Sequence, residues 1–483
     1  MNIVTQPSVD NPATTSEKQA TPNNKVDILG TGDIGPLFAK YALPMTLGML
    51  INGLYNLVDT YFIAQYIGPA AMAGVSIVFP IQMIIFALAA MVSNGTSAIV
   101  SRCFGAEQFS KANLVVASAM SSMLCMAVLL PAIILPNMAG LFGVMGMNET
   151  LWPYAEAYLV PLVLGCVLML LSSLINDLLR AEGKMGGLFS VILICAVTNT
   201  ALDALFIAGF GWGVQGAAWA TLLSIALGLV IGLRFFVGGQ TKLNFPKPSL
   251  NWQPALIRDI VALGSPVFFS YLGAAMIIAL VNFALANSSG VNGADADLAI
   301  LIGAYGVLGR VNIFIIMPLI AISNAAQTIM AFNFGAGLIE RVKKTLMVGI
   351  IVATVYLSVI AAIMLLLPAQ VMGLFSDNMA LVHQGAQIAS ILYIGFPLAG
   401  VGTISVALFQ AMGRAKWAIF LSSAKMYLLL LPLILILPKL HGIEAIWWAF
   451  PLADSIMFVV VMTLLVGFWR VGGGFPPDSN KHS

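Results

Sequence analysis

Charge is scarce in this chain. Only 8% of its 483 residues are Asp, Glu, Lys or Arg, where a soluble globular chain carries about 25%. That excludes an ordinary water-soluble domain. The net charge of +2 is too small to carry a message, and no nucleic-acid partner is expected. Histidine is rare as well: His383, His441 and His482 all fall in loops or the tail. No HExxH run, paired cysteine or nucleophile elbow occurs, so no enzyme and no cofactor is expected. No GxxxxGK[ST] run occurs either, which excludes a nucleotide-driven pump. The four cysteines, Cys103, Cys125, Cys166 and Cys195, lie in or beside apolar segments with no ligand spacing. They read as free buried thiols. Residues 1–33 hold no apolar h-region, so no secretory signal peptide is expected.

Apolar stretches are what the chain has instead. It is 60% hydrophobic, and runs of the ~20 residues that cross a bilayer recur from end to end. The fold class is an all-α polytopic membrane protein with twelve transmembrane helices. They are placed at 36–66, 72–101, 112–136, 154–180, 186–209, 213–237, 255–287, 298–331, 343–368, 384–411, 416–438 and 443–469. Residues 1–35 read as a disordered cytoplasmic tail and 36–237 as a six-helix bundle. Residues 238–254 form a cytoplasmic linker, 255–470 a second six-helix bundle and 471–483 a cytoplasmic tail. Eighteen of the 21 Lys and Arg fall in the segments that are cytoplasmic if both termini are, against Lys439 alone outside. The positive-inside rule therefore puts both termini in the cytoplasm of a bacterial inner (plasma) membrane.

The two bundles repeat one another. SNGTSAIVSRCFGA from Ser93 lies over SNAAQTIMAFNFGA from Ser323 at an offset of 230, with six of fourteen positions matching. Arg180-Ala-Glu-Gly-Lys184 lies over Gln410-Ala-Met-Gly-Arg414 at the same offset. Six helices per repeat keep the second half in the orientation of the first. The halves are thus parallel repeats about an axis along the membrane normal.

The embedded polar groups cluster in the first half. In INGLYNLVDTYFIA, Asn52, Tyr55, Asn56 and Asp59 are spaced i, i+3, i+4 and i+7, which is one face of a helix. A charge near the bilayer centre costs at least ~3 kcal/mol, so that face must meet protein or water. In helix 5, Asn199 and Asp203 share a face, and Thr221 lies in helix 6. Counted from the outer ends, Asp59, Asp203 and Thr221 all sit roughly 9–12 Å deep. Two carboxylates, an amide oxygen and a hydroxyl at one depth suit a proton or Na⁺. The alternative is a hydrogen-bonded knot that only fixes helix packing. Asn176 is a further cavity-lining candidate, while Asp177 can pair with Arg180. Pro44 is a hinge candidate in helix 1. Arg310, Lys425 and Asp454 are expected to pair within the second bundle.

The pattern resembles the multidrug and toxic compound extrusion (MATE) family. LPMTLGMLINGLYNLVDTYFIA, SNGTSAIVSRCFGA, LLRAEGK, NTALDALFI, GVQGAAWAT and SNAAQTIMAFNFGAG carry the resemblance, in that order, across 36–470. It implies two six-helix bundles forming a V-shaped cleft. It also implies a secondary antiporter exporting amphipathic, often cationic drugs or toxic metabolites in exchange for H⁺ or Na⁺. Within the family the chain is similar to the DinF-like branch, whose cation-site Asp, Asn, Asp and Thr match Asp59, Asn199, Asp203 and Thr221. The NorM-like branch uses acids in helices 7 and 10. Here helix 7 has only Asp259 at its inner mouth, and helix 10 has none. The expected partners are small amphipathic or cationic molecules and membrane lipid, with no nucleotide and the transporter a monomer. The rival reading is a flippase for a lipid-linked saccharide, which would line its cleft with several Arg or Lys.

Overall fold

The computed structural model describes residues 27–145, 147–239, 241–243, 253–286 and 295–470. Residues 1–26 of the expected disordered tail, most of the linker around Lys247, and the tail 471–483 lie outside the described residues. Among the described residues there is no strand. Eleven helices are long and apolar enough to span a bilayer, and one bent pair passes the same test together.

The spanning elements are α1 (Ile34–Tyr66), α2 (Pro69–Gly105), α3 (Phe109–Ile134), α4 (Trp152–Leu164 and Cys166–Ala181), α5 (Met185–Gly209) and α6 (Gly213–Val237). The second bundle holds α7 (Pro254–Ala286), α8 (Asp295–Gly335), α9 (Ile339–Leu366), α10 (Met379–Ala411), α11 (Ala415–His441) and α12 (Ile443–Arg470). Apolar length alone makes these segments helical, because lipid leaves each backbone N–H and C=O no partner outside its own helix. Two six-helix bundles face each other across a V-shaped cleft.

Three helices carry a sharp bend or a π-turn. α4 bends by 54° at Gly165, where Pro161 has removed a backbone donor one turn earlier. A Cβ at Gly165 would stand 2.5 Å from Leu222 of α6, so the bend lets α6 approach closely. α5 turns from α into π-helix at Ala204–Gly209, directly after Asp203. α11 does the same at Ala424–Leu430. Single π-turns inside α-helices are frequent at functional sites. α1 runs unbroken through Pro44.

The N-terminal tail needs a correction. Residues Asp27–Thr31 are helical, and Leu29 is fully buried. Arg341 of α9 donates to the carbonyls of Leu29 (3.1 Å) and Gly32 (2.7 Å), and Asn333 of α8 donates to Leu29 as well (3.1 Å). Hydrogen bonding from the other bundle thus fastens a stretch whose polar composition alone suggested disorder. The linker is anchored too: buried Glu182 accepts from the backbone N–H of Leu243 at 3.1 Å.

The bundles close on the side that carries the basic loops. There the 230-residue repeat meets itself: Asn94 donates to Asn324 at 3.4 Å. A Cβ on Gly105 of α2 would lie 1.9 Å from the Phe332 carbonyl of α8, and one on Gly335 of α8 would lie 2.0 Å from the Arg102 carbonyl of α2. These contacts are mirror images under the repeat. α2 crosses α7 as closely: a Cβ at Gly95 would sit 2.0 Å from the Ile260 carbonyl, and one at Gly264 1.7 Å from that of Met91. Without a hydrophobic drive between helices in lipid, such small-residue crossings and polar cross-links hold them together. The cross-links are present. Arg180, 1% exposed, ion-pairs with Asp177 at 3.0 Å and donates to the Asn324 carbonyl and the Gln327 side chain, both at 3.2 Å. Gln327 in turn donates to Asn94 and Gln410, both at 3.0 Å.

In the second bundle Lys425 and Asp454 form the expected ion pair at 2.5 Å, with Asp454 3% exposed. Arg310 does not join it. It is exposed, and among the described residues it makes no ion pair. α8 points it away from the bundle core that its neighbours Val307, Leu308 and Val311 fill. Lys425→Met should therefore strand a buried carboxylate and destabilise the protein by about 3–5 kcal/mol. Restoring neutrality with Asp454→Asn in the same chain should recover much of it. Thermal unfolding of the purified single and double variants measures this, and an unchanged midpoint for Lys425→Met would contradict it.

Candidate functional site

Three helices of the first bundle build the centre of one polar cluster. α1 supplies Asp59 and α5 supplies Asn199 and Asp203, which are 1% and 0% exposed. α6 supplies Thr221, also buried. Asp203 lies within electrostatic reach of Asp59, and Asn199 donates to the Thr221 hydroxyl at 3.5 Å. Asn199 and Asp203 are i, i+4, so α5 presents both toward α1 and α6. The π-turn begins at the residue after Asp203. Four oxygens in the cluster are buried without a hydrogen-bond partner: Asp59 Oδ1, Asn199 Oδ1, and both Oδ1 and Oδ2 of Asp203. Buried polar atoms are hydrogen-bonded in the great majority of cases, so four together call for a ligand or a proton.

The structure thus brings together the four residues Asp59, Asn199, Asp203 and Thr221 that the sequence singled out. The cavity-lining candidates divide. Tyr55 belongs to the cluster, within electrostatic reach of Asp59, Asp203 and Cys195. Asn52 is partly exposed and accepts at its carbonyl from the side chain of Asn56 at 2.7 Å. Asn56 is exposed, so it stands outside the buried group. Asn176 is next to the Asp177–Arg180 pair at the basic side, with Oδ1 buried and unpartnered. Pro44 lies in α1 more than three turns below Tyr55 and touches none of these acids.

Two members went unread in the sequence. Tyr158 of α4 lies within electrostatic reach of Asp59, Tyr55 and Asp203, and close to Gln82 of α2. Gln82 is 8% exposed. Its one signal was an amide standing alone in the apolar run from Val75 to Val92. Ser224 closes the floor of the cluster: it donates to the Thr221 carbonyl at 2.8 Å and its own carbonyl accepts from Cys195 at 3.3 Å.

The chemistry of the set is that of hard oxygen donors. Two carboxylates, an amide oxygen and a hydroxyl fit Na⁺, and the carboxylates alone fit a proton. No group of three or more His, Cys, Asp or Glu that could hold a metal ion occurs among the described residues.

The comparisons with known proteins agree with this architecture. The MatE family model matches residues 44–205 and 299–436. Among curated proteins, the chain is 23% identical over 429 residues to "Multidrug export protein MepA" of Staphylococcus haemolyticus, covering 88% of this chain and 92% of that one. It is 24% identical over 440 residues to "FAD transporter" of Shewanella oneidensis, again covering 88% and 92%. Among solved structures it superposes on one described as "Crystal structure of MATE in complex with MaD3S" with a TM-score of 0.84. Identity is 24%, over 93% of this chain and 99% of that one. One described as "Outward-facing conformation of a multidrug resistance MATE family transporter of the MOP superfamily" gives a TM-score of 0.83 at 23% identity, over 93% and 98%.

Proposed function

Because the chain belongs to the MatE family, we propose that it is a secondary antiporter that exports amphipathic drugs or toxic metabolites in exchange for H⁺ or Na⁺. The observation that carries this reading is the group of four unpartnered buried oxygens on Asp59, Asn199 and Asp203. Two ionised carboxylates buried side by side without a counter-charge are costly. Binding a proton or Na⁺ there relieves that cost. Asp59 and Asp203 hold the cation, while Asn199 and Thr221 orient their oxygens beside it. Tyr55 and Tyr158 exclude water from the group. An ion shifts a conformational equilibrium only by its differential affinity for the two states. α1 and α5 are the elements through which filling the site can act on the cleft.

A cation site in the first bundle supports membership of the DinF-like branch. The location of the basic loops supports cytoplasmic termini in a bacterial inner membrane, and the transporter acts as a monomer. Relatives named for multidrug export and for FAD support small amphipathic cargo. The flippase reading loses Lys425, which is tied to Asp454.

The driving force suffices. One charge moving through 100 mV supplies ~2.3 kcal/mol, which sustains roughly a fiftyfold gradient of a neutral cargo at ~1.4 kcal/mol per tenfold. The test is dye efflux from proteoliposomes under separately imposed pH and Na⁺ gradients. One of the two gradients should drive efflux of at least one of two amphipathic dyes, anionic carboxyfluorescein or cationic rhodamine 6G. No response to either gradient, from protein shown to be folded, would overturn the antiport reading.

A further inference from the structure

Every embedded charge but one has an explanation. Asp59 and Asp203 form the cation cluster, Asp177 pairs with Arg180, and Lys425 pairs with Asp454. Arg310 remains: it is exposed and without an ion pair among the described residues.

Its position follows from the helix it sits on. Arg310, Phe314 and Met317 are spaced i, i+4, i+7, so they share one face of α8. That face meets the first bundle. A Cβ at Gly53 of α1 would lie 3.0 Å from Met317 and 3.3 Å from Phe314. α8 runs antiparallel to α1, so Arg310 stands about 10 Å from Met317 toward the open side of the cleft. That is the level of Thr60 on α1, beside Asp59. The opposite face of α8 is buried in the second bundle through Val307, Leu308, Val311 and Ile315. Gly306, one turn from Arg310 on the same face, has open space where a side chain would go. An unpaired guanidinium some 15 Å inside the outer end of the span is too costly to leave in lipid. The seam between α1 and α8 turns it toward the cleft between the bundles instead.

We propose that Arg310 is a substrate-binding residue, and that the exported cargo is an amphipath carrying an anionic group such as a carboxylate or phosphate. This rests on the export reading above and narrows its cargo. A guanidinium offers a planar fork of donors that pairs bidentately with either anion. It also repels a plain cation entering the same cleft. The exposed Asn56 on α1, near the same level, adds a neutral polar contact on the facing wall. The apolar body of the cargo rests on the Phe314 and Met317 side of the cleft, where Met adapts to varied shapes.

The test uses two dyes that share a xanthene ring: carboxyfluorescein, which is anionic, and rhodamine 6G, which is cationic. Binding to the purified full-length protein is read by fluorescence polarisation, and efflux is read in proteoliposomes. Wild type should bind and export the anionic dye. Arg310→Gln should weaken that binding and the efflux rate at low dye concentration at least tenfold, and should leave or improve those for rhodamine 6G. Arg310→Lys should fall between, keeping the charge and losing the fork. Equal effects of Arg310→Gln on both dyes, or none on either, would overturn the assignment. So would a wild type that exports rhodamine 6G and ignores carboxyfluorescein, and in that case the antiport reading stands. Binding of carboxyfluorescein that depends on Arg310, with no efflux of either dye under any gradient, would leave Arg310 as an anion-binding residue and remove the antiport reading.

Discussion

Asp59→Asn should uncouple the transporter: efflux driven by a pH or Na⁺ gradient should fall at least a hundredfold while the protein still folds. The substitution keeps shape and hydrogen-bonding capacity and removes the ionisable charge. Asp59 Oδ1 is already buried without a partner, so no existing hydrogen bond is lost there. The fold should survive, because an amide is less costly to bury than an unpaired carboxylate. Export should not, because the cation then has no charged ligand on α1 and its binding no longer distinguishes two states of the cleft. Asp203→Asn should behave alike. The double variant should be little worse than either single, since groups that act as a unit are non-additive. Dye efflux from proteoliposomes, normalised to folded protein, measures this. Wild-type gradient-driven efflux from Asp59→Asn would return the cluster to a packing role.

What the sequence could show about this site depended on spacing within single helices. Asp59, Asn199, Asp203 and Thr221 were legible because each is a rare polar group in an apolar span, and depth along a helix is a count of residues. Tyr158 and Gln82 were not. An isolated amide or phenol in a span gives no sign of which helix it faces, and their contact needs α4 and α2 side by side. The charges of the second bundle show the same limit. Lys425 and Asp454 do pair, yet Arg310, grouped with them by sign alone, sits on the face of α8 turned to the other bundle. Its neighbours Phe314 and Met317 held that information, but only Gly53 opposite them reveals it. The π-turn after Asp203 and the bend at Gly165 were illegible for a different reason. Both are responses of one helix to the packing of another, and hydropathy is blind to them. Residues Asp27–Thr31 at the end of the tail are helical because a short helix held by Arg341 and Asn333 needs no apolar run of its own.

The repeat was the most productive reading, since it led to the seam between the bundles. Two segments that match at an offset of 230 proved to be the ones that touch, Asn94 against Asn324 and Gly105 against the strand of backbone at Phe332. Residues near a pseudo-two-fold axis face their own equivalents, so a match between halves can mark the axis itself. The same crossing joins function to packing. For cargo to enter from the basic side, the helices that close that side must part, and their closeness is set by glycines.

Gly264→Ala should therefore disable the basic-side closure. The new methyl carbon would stand 1.7 Å from the Met91 carbonyl oxygen, with Met91 Cα only 3.0 Å away. A carbon and a carbonyl oxygen in contact stay about 3.3 Å apart or more, so α7 and α2 must separate by more than about 1 Å. The obstacle is backbone rather than a flexible side chain, and it cannot swing aside. Separation also strains the polar cross-links around Asn94, since Gln410 donates both to Asn94 and to the Leu263 carbonyl next to Gly264, at 3.4 and 2.9 Å. The expected result is a shift toward states open on the basic side and a loss of export of at least tenfold. Native Cys103, buried on α2 about 18 Å from Met91 toward the basic-side end, reports the opening. In a chain where Cys125, Cys166 and Cys195 are replaced by alanine, a thiol reagent should modify Cys103 several times faster after Gly264→Ala. Gly140→Ala is the control, because a Cβ there meets nothing within 4 Å, and it should change neither labelling nor export. Unchanged Cys103 labelling and wild-type export from Gly264→Ala would mean that the α2–α7 crossing is not what closes this side of the transporter.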